Sequence, residues 1–205
     1  MTALSHAYHF EPATAPGVRP MLLLHGTGGN EHDLVPLARR LAPGAALLSP
    51  RGRVSESGAN RFFARLAEGV FDPAEITRRT HELADFVIAA AAKHDLDPQS
   101  LIALGFSNGA NVAATLLQLR PEALGDAILL RPMVVLDKPA AAGTLTGRRV
   151  LISNGRHDPI VPVDHPEKLS NLLRAGGAEV KVALHEASHG LVPGDLSAAN
   201  DWLAG

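Results

Sequence analysis

No cysteine occurs in the 205 residues. That absence excludes a disulfide framework, a thiolate zinc or iron–sulfur site and a cysteine nucleophile, so covalent chemistry must use another side chain. Basic charge is not in excess: 19 Lys and Arg face 21 Asp and Glu, a formal net charge of −2. Such a chain lacks the positive field that neutralises a phosphate backbone or docks on an anionic membrane, and neither nucleic acid nor membrane is an expected partner. Long apolar runs are missing too. The longest, Phe86–Ala92, has seven residues, against the ~20 of a membrane-spanning helix. The first Lys or Arg is Arg19 and Met1–Phe10 carries no apolar run, so neither half of a secretory signal is legible and a cytoplasmic location is expected. Among the ten histidines none pair in a His-x-x-x-His or His-Glu-x-x-His frame on a predicted helix, and no metal or cofactor is expected.

What is present is 46% hydrophobic residues, enough at this length for one core and one domain, 1–205. Short apolar runs at Pro20–Leu24, Ala45–Ser49, Leu101–Gly105, Ala127–Leu130, Val150–Asn154 and Val180–His185 read as strands buried on both faces. Helical patterns at Glu31–Leu41, Pro73–His94, Asn108–Gln118, His165–Ala175 and Leu196–Ala204 alternate with them. The alternation predicts an α/β fold with a mostly parallel central sheet and helices on both faces. The stretch from Pro50 to Asp72 breaks it. With Gly52, Gly58 and Gly69 among Phe62, Phe63 and Phe71, it reads as a long irregular loop, and such loops are usually functional. Its phenylalanines could be core; the irregular setting favours a substrate-pocket wall.

One strand runs through Gly105-Phe106-Ser107-Asn108-Gly109 into an alanine-rich helix. A serine nucleophile needs its hydroxyl exposed on a sharp strand-to-helix turn, whose crossing backbones leave room only for glycine on either side. Ser107 as a simple helix N-cap is the competing reading. A nucleophilic serine requires a base, an orienting acid and oxyanion donors. Asp158 follows one predicted strand and His189 follows the last, so both reach the sheet edge that carries Ser107. Asp195 and Asp164 are rival acids, although Asp195 comes after the histidine in the chain. His157 and His185 suit surface or packing roles. The strand ending at Leu24 runs into His25-Gly26-Thr27-Gly28-Gly29, where the Thr27 N–H could pair with that of Asn108 as an oxyanion hole, with His25 stabilising the turn. A phosphate-binding reading of these glycines fails, because position 31 is Glu and no Gly-Lys-Ser/Thr follows.

These segments together resemble the serine α/β-hydrolases, and among them the phospholipase/carboxylesterase family that includes acyl-protein thioesterase-like enzymes. The resemblance rests on Leu24–Gly29, Gly105–Gly109, Asp158-Pro159-Ile160-Val161-Pro162 and Ser188-His189-Gly190, in the order Ser, Asp, His. It implies Ser107 as nucleophile, His189 as general base and acid, Asp158 as its orienting carboxylate, and Thr27 and Asn108 as oxyanion donors. It also implies an α/β-hydrolase fold and a homodimer as the oligomeric state relatives often adopt; 205 residues leave no room for the inserted cap domain of larger relatives, so a small or chain-like ester or thioester substrate is expected. Thr27 and Asn108 stand where several relatives have Leu and Gln, a departure from the protein-depalmitoylating branch toward bacterial carboxylesterases. Lysophospholipase, thioesterase or peptidase activity, or a non-catalytic binding role on the same fold, are the alternatives.

Overall fold

The computed structural model describes residues 4–205. Strands β1 (Tyr8–Glu11), β2 (Met21–Leu24), β3 (Leu47–Pro50), β6 (Ile102–Phe106), β7 (Asp126–Leu130), β8 (Arg149–Gly155) and β9 (Glu179–His185) form one sheet in the order β1-β3-β2-β6-β7-β8-β9. The hairpin β4 (Val54–Glu56) and β5 (Ala59–Arg61) stands apart from it. Helices are α1 (Val35–Leu41), α2 (Pro73–Lys93), α3 (Asn108–Leu119), α4 (His165–Arg174) and α5 (Pro193–Ala204). Within the sheet every pairing is parallel except β1 with β3.

Strand periodicity builds the layers. Leu22 and Leu24 face one hydrophobic cluster with Ile76 and Leu83 of α2, Val112 and Leu116 of α3 and Leu169 of α4. Met21 and Leu23 face another with Val35 and Ala38 of α1 and Trp202 of α5. Successive side chains leave a strand on opposite sides, so a run buried throughout needs cover on both. Helix α3 is the most enclosed: eleven of its twelve residues are buried, which matches its apolar composition on all sides.

The predicted strands are all present, with ends shifted by one or two residues. β1 escaped prediction because Tyr8-His9-Phe10-Glu11 is half-buried throughout and too short to show a period. Helix α1 starts at Val35, not Glu31, because Pro36 in its first turn marks the start. The 50–72 stretch is less irregular than predicted. Its hairpin turns at Ser57 and Gly58, both at positive φ (51° and 85°), the conformation two-residue hairpin turns require. No inserted domain separates β7 from β8 among the described residues: the connection is turns, with Leu136, Ala140 and Leu145 buried in the core.

Chain order runs outward from β2 to β3, then returns to β6 on the other side of β2. Open α/β sheets place ligands at such a reversal, beyond the C-terminal strand ends.

Candidate active site

Ser107 sits between β6 and α3 at φ 51°, ψ −115°, a backbone position that costs a non-glycine residue roughly 1–3 kcal/mol. Two backbone hydrogen bonds hold it there: its N–H donates to Leu130 O (2.9 Å) and its carbonyl accepts from Asn111 N–H (2.9 Å). A Cβ at Gly105 would lie 2.6 Å from Gly109 O, and one at Gly109 would overlap Leu24 O. The flanking glycines are therefore steric requirements of the turn. The Ser107 hydroxyl makes no capping bond to α3. Its Oγ lies 2.9 Å from His189 Nε2.

His189 comes from the loop after β9, and its Nδ1 lies 2.7 Å from Asp158 Oδ2. The Asp158 side chain is only 1% exposed. Its other oxygen accepts from the Ile160 and Val161 N–H groups (2.8 and 3.2 Å), which fixes the carboxylate toward the imidazole. Close approach of the His189 loop depends on Gly155, where a Cβ would overlap the Ala187 and Ser188 carbonyls. The rival acids lie elsewhere: Asp164 is the N-cap of α4, and Asp195 forms a buried ion pair with Arg131.

The turn after β2 supplies the facing wall. Gly28 takes φ +82°, and its N–H donates to Asn60 O while Asn60 Nδ2 donates to Gly29 O (both 2.9 Å). His25, buried beneath, bonds Gly26 O through Nδ1 (2.7 Å) and accepts Gly52 N–H at Nε2 (2.9 Å). Burial pushes the His25 pKa down, in keeping with a neutral ring that donates at one nitrogen and accepts at the other. Arg61 donates to Thr27 Oγ1 (2.7 Å) and Phe63 O (3.1 Å). The Phe62 N–H donates to Asn108 Oδ1 (2.8 Å). The hairpin thus braces both residues of the expected oxyanion hole, and the backbone N–H groups of Thr27 and Asn108 have no protein acceptor among the described residues. Sequence reasoning places Arg61 in the pocket-wall segment but gives its side chain no role; a charged residue inside the aromatic stretch is the available signal.

A cleft of about 280 Å³ opens above Ser107 and His189. Thr27, Asn108, Arg61 and Arg65 form its polar side, Phe71, Phe106, Met133 and Ile160 its apolar side. Of the three phenylalanines expected in the wall, only Phe71 is there. Phe62 and Phe63 are 4% and 0% exposed and belong to the core: the bond from Phe62 N–H to Asn108 ties the chain to the floor of the site, and the two rings pack inward. Phe63 reaches the wall indirectly, edge-on to Phe71 at 5.6 Å.

His185-Glu186-Ala187-Ser188-His189 spells a zinc-protease frame, but it spans a strand end and a loop. The two imidazoles therefore share no helix face: His185 bonds Ser153 Oγ while His189 meets Ser107. His157 is exposed and pairs with Glu186. Among the described residues no three His, Asp or Glu side chains converge as a metal site.

The phospholipase/carboxylesterase family model matches residues 13–204. The chain belongs to the phospholipase/carboxylesterase family. MhqD of Bacillus subtilis (strain 168) is 42% identical over 199 residues, 97% of each chain. Two solved members are similarly near. A Bacillus cereus carboxylesterase is 41% identical with a TM-score of 0.91, covering 96% of this chain and 92% of its own. A carboxylesterase from Mesorhizobium loti is 37% identical with a TM-score of 0.91, over 100% and 97%. These likenesses identify the architecture as the α/β-hydrolase fold. Along this fold Ser107, Asp158 and His189 follow one another in that chain order.

Proposed function

We propose that this chain is a serine carboxylesterase that hydrolyses small carboxylic esters or thioesters through an acyl-enzyme, acting as a single domain without a cofactor. The observation that carries the reading is the continuous relay from Ser107 Oγ to His189 Nε2 (2.9 Å) and from His189 Nδ1 to Asp158 Oδ2 (2.7 Å) beside a ligand-sized cleft.

His189 takes the Ser107 proton as Oγ attacks the substrate carbonyl, forming the C–O bond of a tetrahedral intermediate. Its oxyanion accepts from the Thr27 and Asn108 N–H groups at the positive end of α3. Collapse breaks the bond to the leaving group, which departs with the proton from His189. Water, deprotonated by the same imidazole, then attacks the acyl-enzyme and releases the acid and free Ser107. At about 280 Å³ the cleft lies near the lower end of ligand pockets, ~300–1,000 Å³. Phe71, Phe106, Met133 and Ile160 would hold a short apolar acyl group.

Hydrolysis of p-nitrophenyl esters from acetate to palmitate by wild type and Ser107→Ala tests the proposal. Short-chain activity that falls at least ~10⁴-fold in the variant is expected; Ser107→Ala turnover equal to wild type would overturn it.

A further inference from the structure

The first residue after β7, Arg131, is the largest fully buried side chain, and it too takes positive φ (57°). All five of its guanidinium hydrogens are committed. Nη1 and Nη2 bind Asp195 Oδ1 and Oδ2 (2.6 and 2.8 Å), and neither side chain of this pair is exposed. Nη1 also donates to Ser153 O (3.1 Å). The two remaining donors go to particular places: Nε to Ser188 O (3.2 Å) and Nη2 to Gly190 O (2.8 Å). Those carbonyls flank His189.

Asp195 is itself fixed on four sides. Besides both arms of Arg131 it accepts from Ser153 Oγ (2.7 Å) and, at the start of α5, from Val192 N–H (2.8 Å). His185 Nε2 lies 2.9 Å from the same Ser153 hydroxyl and 3.5 Å from Asp195 Oδ1. Arg131 also begins where β7 hands over to the site, since Leu130 O accepts the Ser107 N–H. One rigid fork therefore ties the seat of Ser107 to the loop of His189.

We propose that Arg131, braced by Asp195, is a positioning residue: by gripping the carbonyls on either side of His189 it sets the imidazole between Ser107 and Asp158. The role rests on the serine-esterase reading above for its catalytic consequence, not for its geometry. A loop after a strand has few other anchors. His157 N–H reaches Ala187 O (3.0 Å), but Ser188 and Gly190 are exposed and are held by the guanidinium. The planar fork explains the choice of Arg over Lys, whose point-like ammonium cannot span a carboxylate and two carbonyls at fixed angles.

The test is the paired replacement Arg131→Met with Asp195→Leu, which removes both charges and leaves no unpaired ion in the core. Two quantities are read: kcat and KM on p-nitrophenyl acetate, and the downfield proton resonance of His189 Nδ1–H, assigned by its absence in His189→Ala. The expected result is a fall in kcat of ~10²-fold, the scale of an ångström-sized misplacement, with KM within about threefold and the resonance shifted or lost. In a His189→Ala background the same pair should cost nothing further, because its effect passes through the missing ring. A folded variant with near-wild-type kcat and an unmoved resonance overturns the proposal, as does an equal loss with and without His189. If circular dichroism shows the pair unfolded, Arg131→Lys carries the same readouts with the charge kept. Wild-type turnover insensitive to Ser107→Ala would sink the esterase reading alone, and the resonance would still decide the role of Arg131.

Discussion

Asp158 and Asp195 both lie at the C-terminal edge of the sheet, and both carboxylates are essentially inaccessible, 1% and 0% exposed. Their company separates them. Asp158 meets an imidazole and two backbone N–H groups, the surroundings that the proposed mechanism asks of an orienting carboxylate. Asp195 meets a permanent cation: burial pushes its carboxyl up, but hydrogen bonds from Arg131, Val192 N–H and Ser153 outweigh that and hold it below the ordinary range. A fixed charge pair stores no response to the reaction; it holds a shape. Burial alone does not tell the two carboxylates apart; what each is bonded to does.

The contrast is tested most severely by amide replacement at each position. Asp158→Asn should keep the packing and offer His189 the wrong hydrogen-bond partner, lowering kcat by ~10³–10⁴-fold while the melting temperature changes little. Asp195→Asn should reverse the emphasis, because Arg131 would be left charged and buried. A stability loss of roughly 3–5 kcal/mol in urea unfolding is expected, with a smaller loss of kcat than at Asp158 when activity is read well below the melting point. Equal kcat losses in the two variants would erase the distinction.

How far the two carboxylates could be told apart from sequence follows the same line. Asp158 was legible because it stands in a strand-end loop and precedes the histidine in the order this fold uses. The glycines at 105 and 109 were legible because crossing backbones permit nothing larger. Arg131 was not: its partner lies 64 residues away, and a lone arginine after an apolar strand carries no local pattern. The 50–72 stretch is only half legible. Its strands are three residues long, too short for a period, though Ser57-Gly58 was a usable turn signal. Phe62 and Phe63 have the composition of a pocket wall, and only the bond from Phe62 N–H to Asn108 Oδ1 decides that they face inward.

The phenylalanines extend the contrast from charge to packing. Phe63 is fully buried and stacks edge-on to Phe71, which is half-buried against the cleft. Phe63→Ala should cost about 3–5 kcal/mol in stability. Phe71→Ala should cost less and instead shift the preferred acyl length toward longer p-nitrophenyl esters, because its ring occupies the apolar side of the cleft. A Phe71 variant with an unchanged chain-length profile would remove it from the wall.

His6 supplies the smallest effect and the sharpest control: a buried imidazole whose Nδ1 lies 2.9 Å from Ser5 Oγ and which makes no ion pair among the described residues. It is 8% exposed, packed against Phe86 at 4.8 Å. Burial pushes its pKa down to about 4, with Arg53 and Arg79 adding to the fall and Glu82 opposing it. The unfolded chain takes up the proton near pH 6.5, whereas the folded chain resists until about pH 4. Unfolded molecules therefore bind more protons in that window, and the stability that neutral His6 contributes above it is lost as pH falls from 6.5 toward 4. Asp195, lowered by its partners, loses its contribution only at still more acidic pH, below the ordinary carboxylate range. Urea unfolding of wild type and His6→Phe at pH 7.5 and pH 4.5 should show the wild type losing roughly 2 kcal/mol more than the variant. His25, His94 and His165 are also pushed down by burial, but they titrate in both proteins and cancel in the difference. Parallel pH dependence in the two would mean that His6 gains its proton as readily folded as unfolded, and that its burial is not the cost assigned to it.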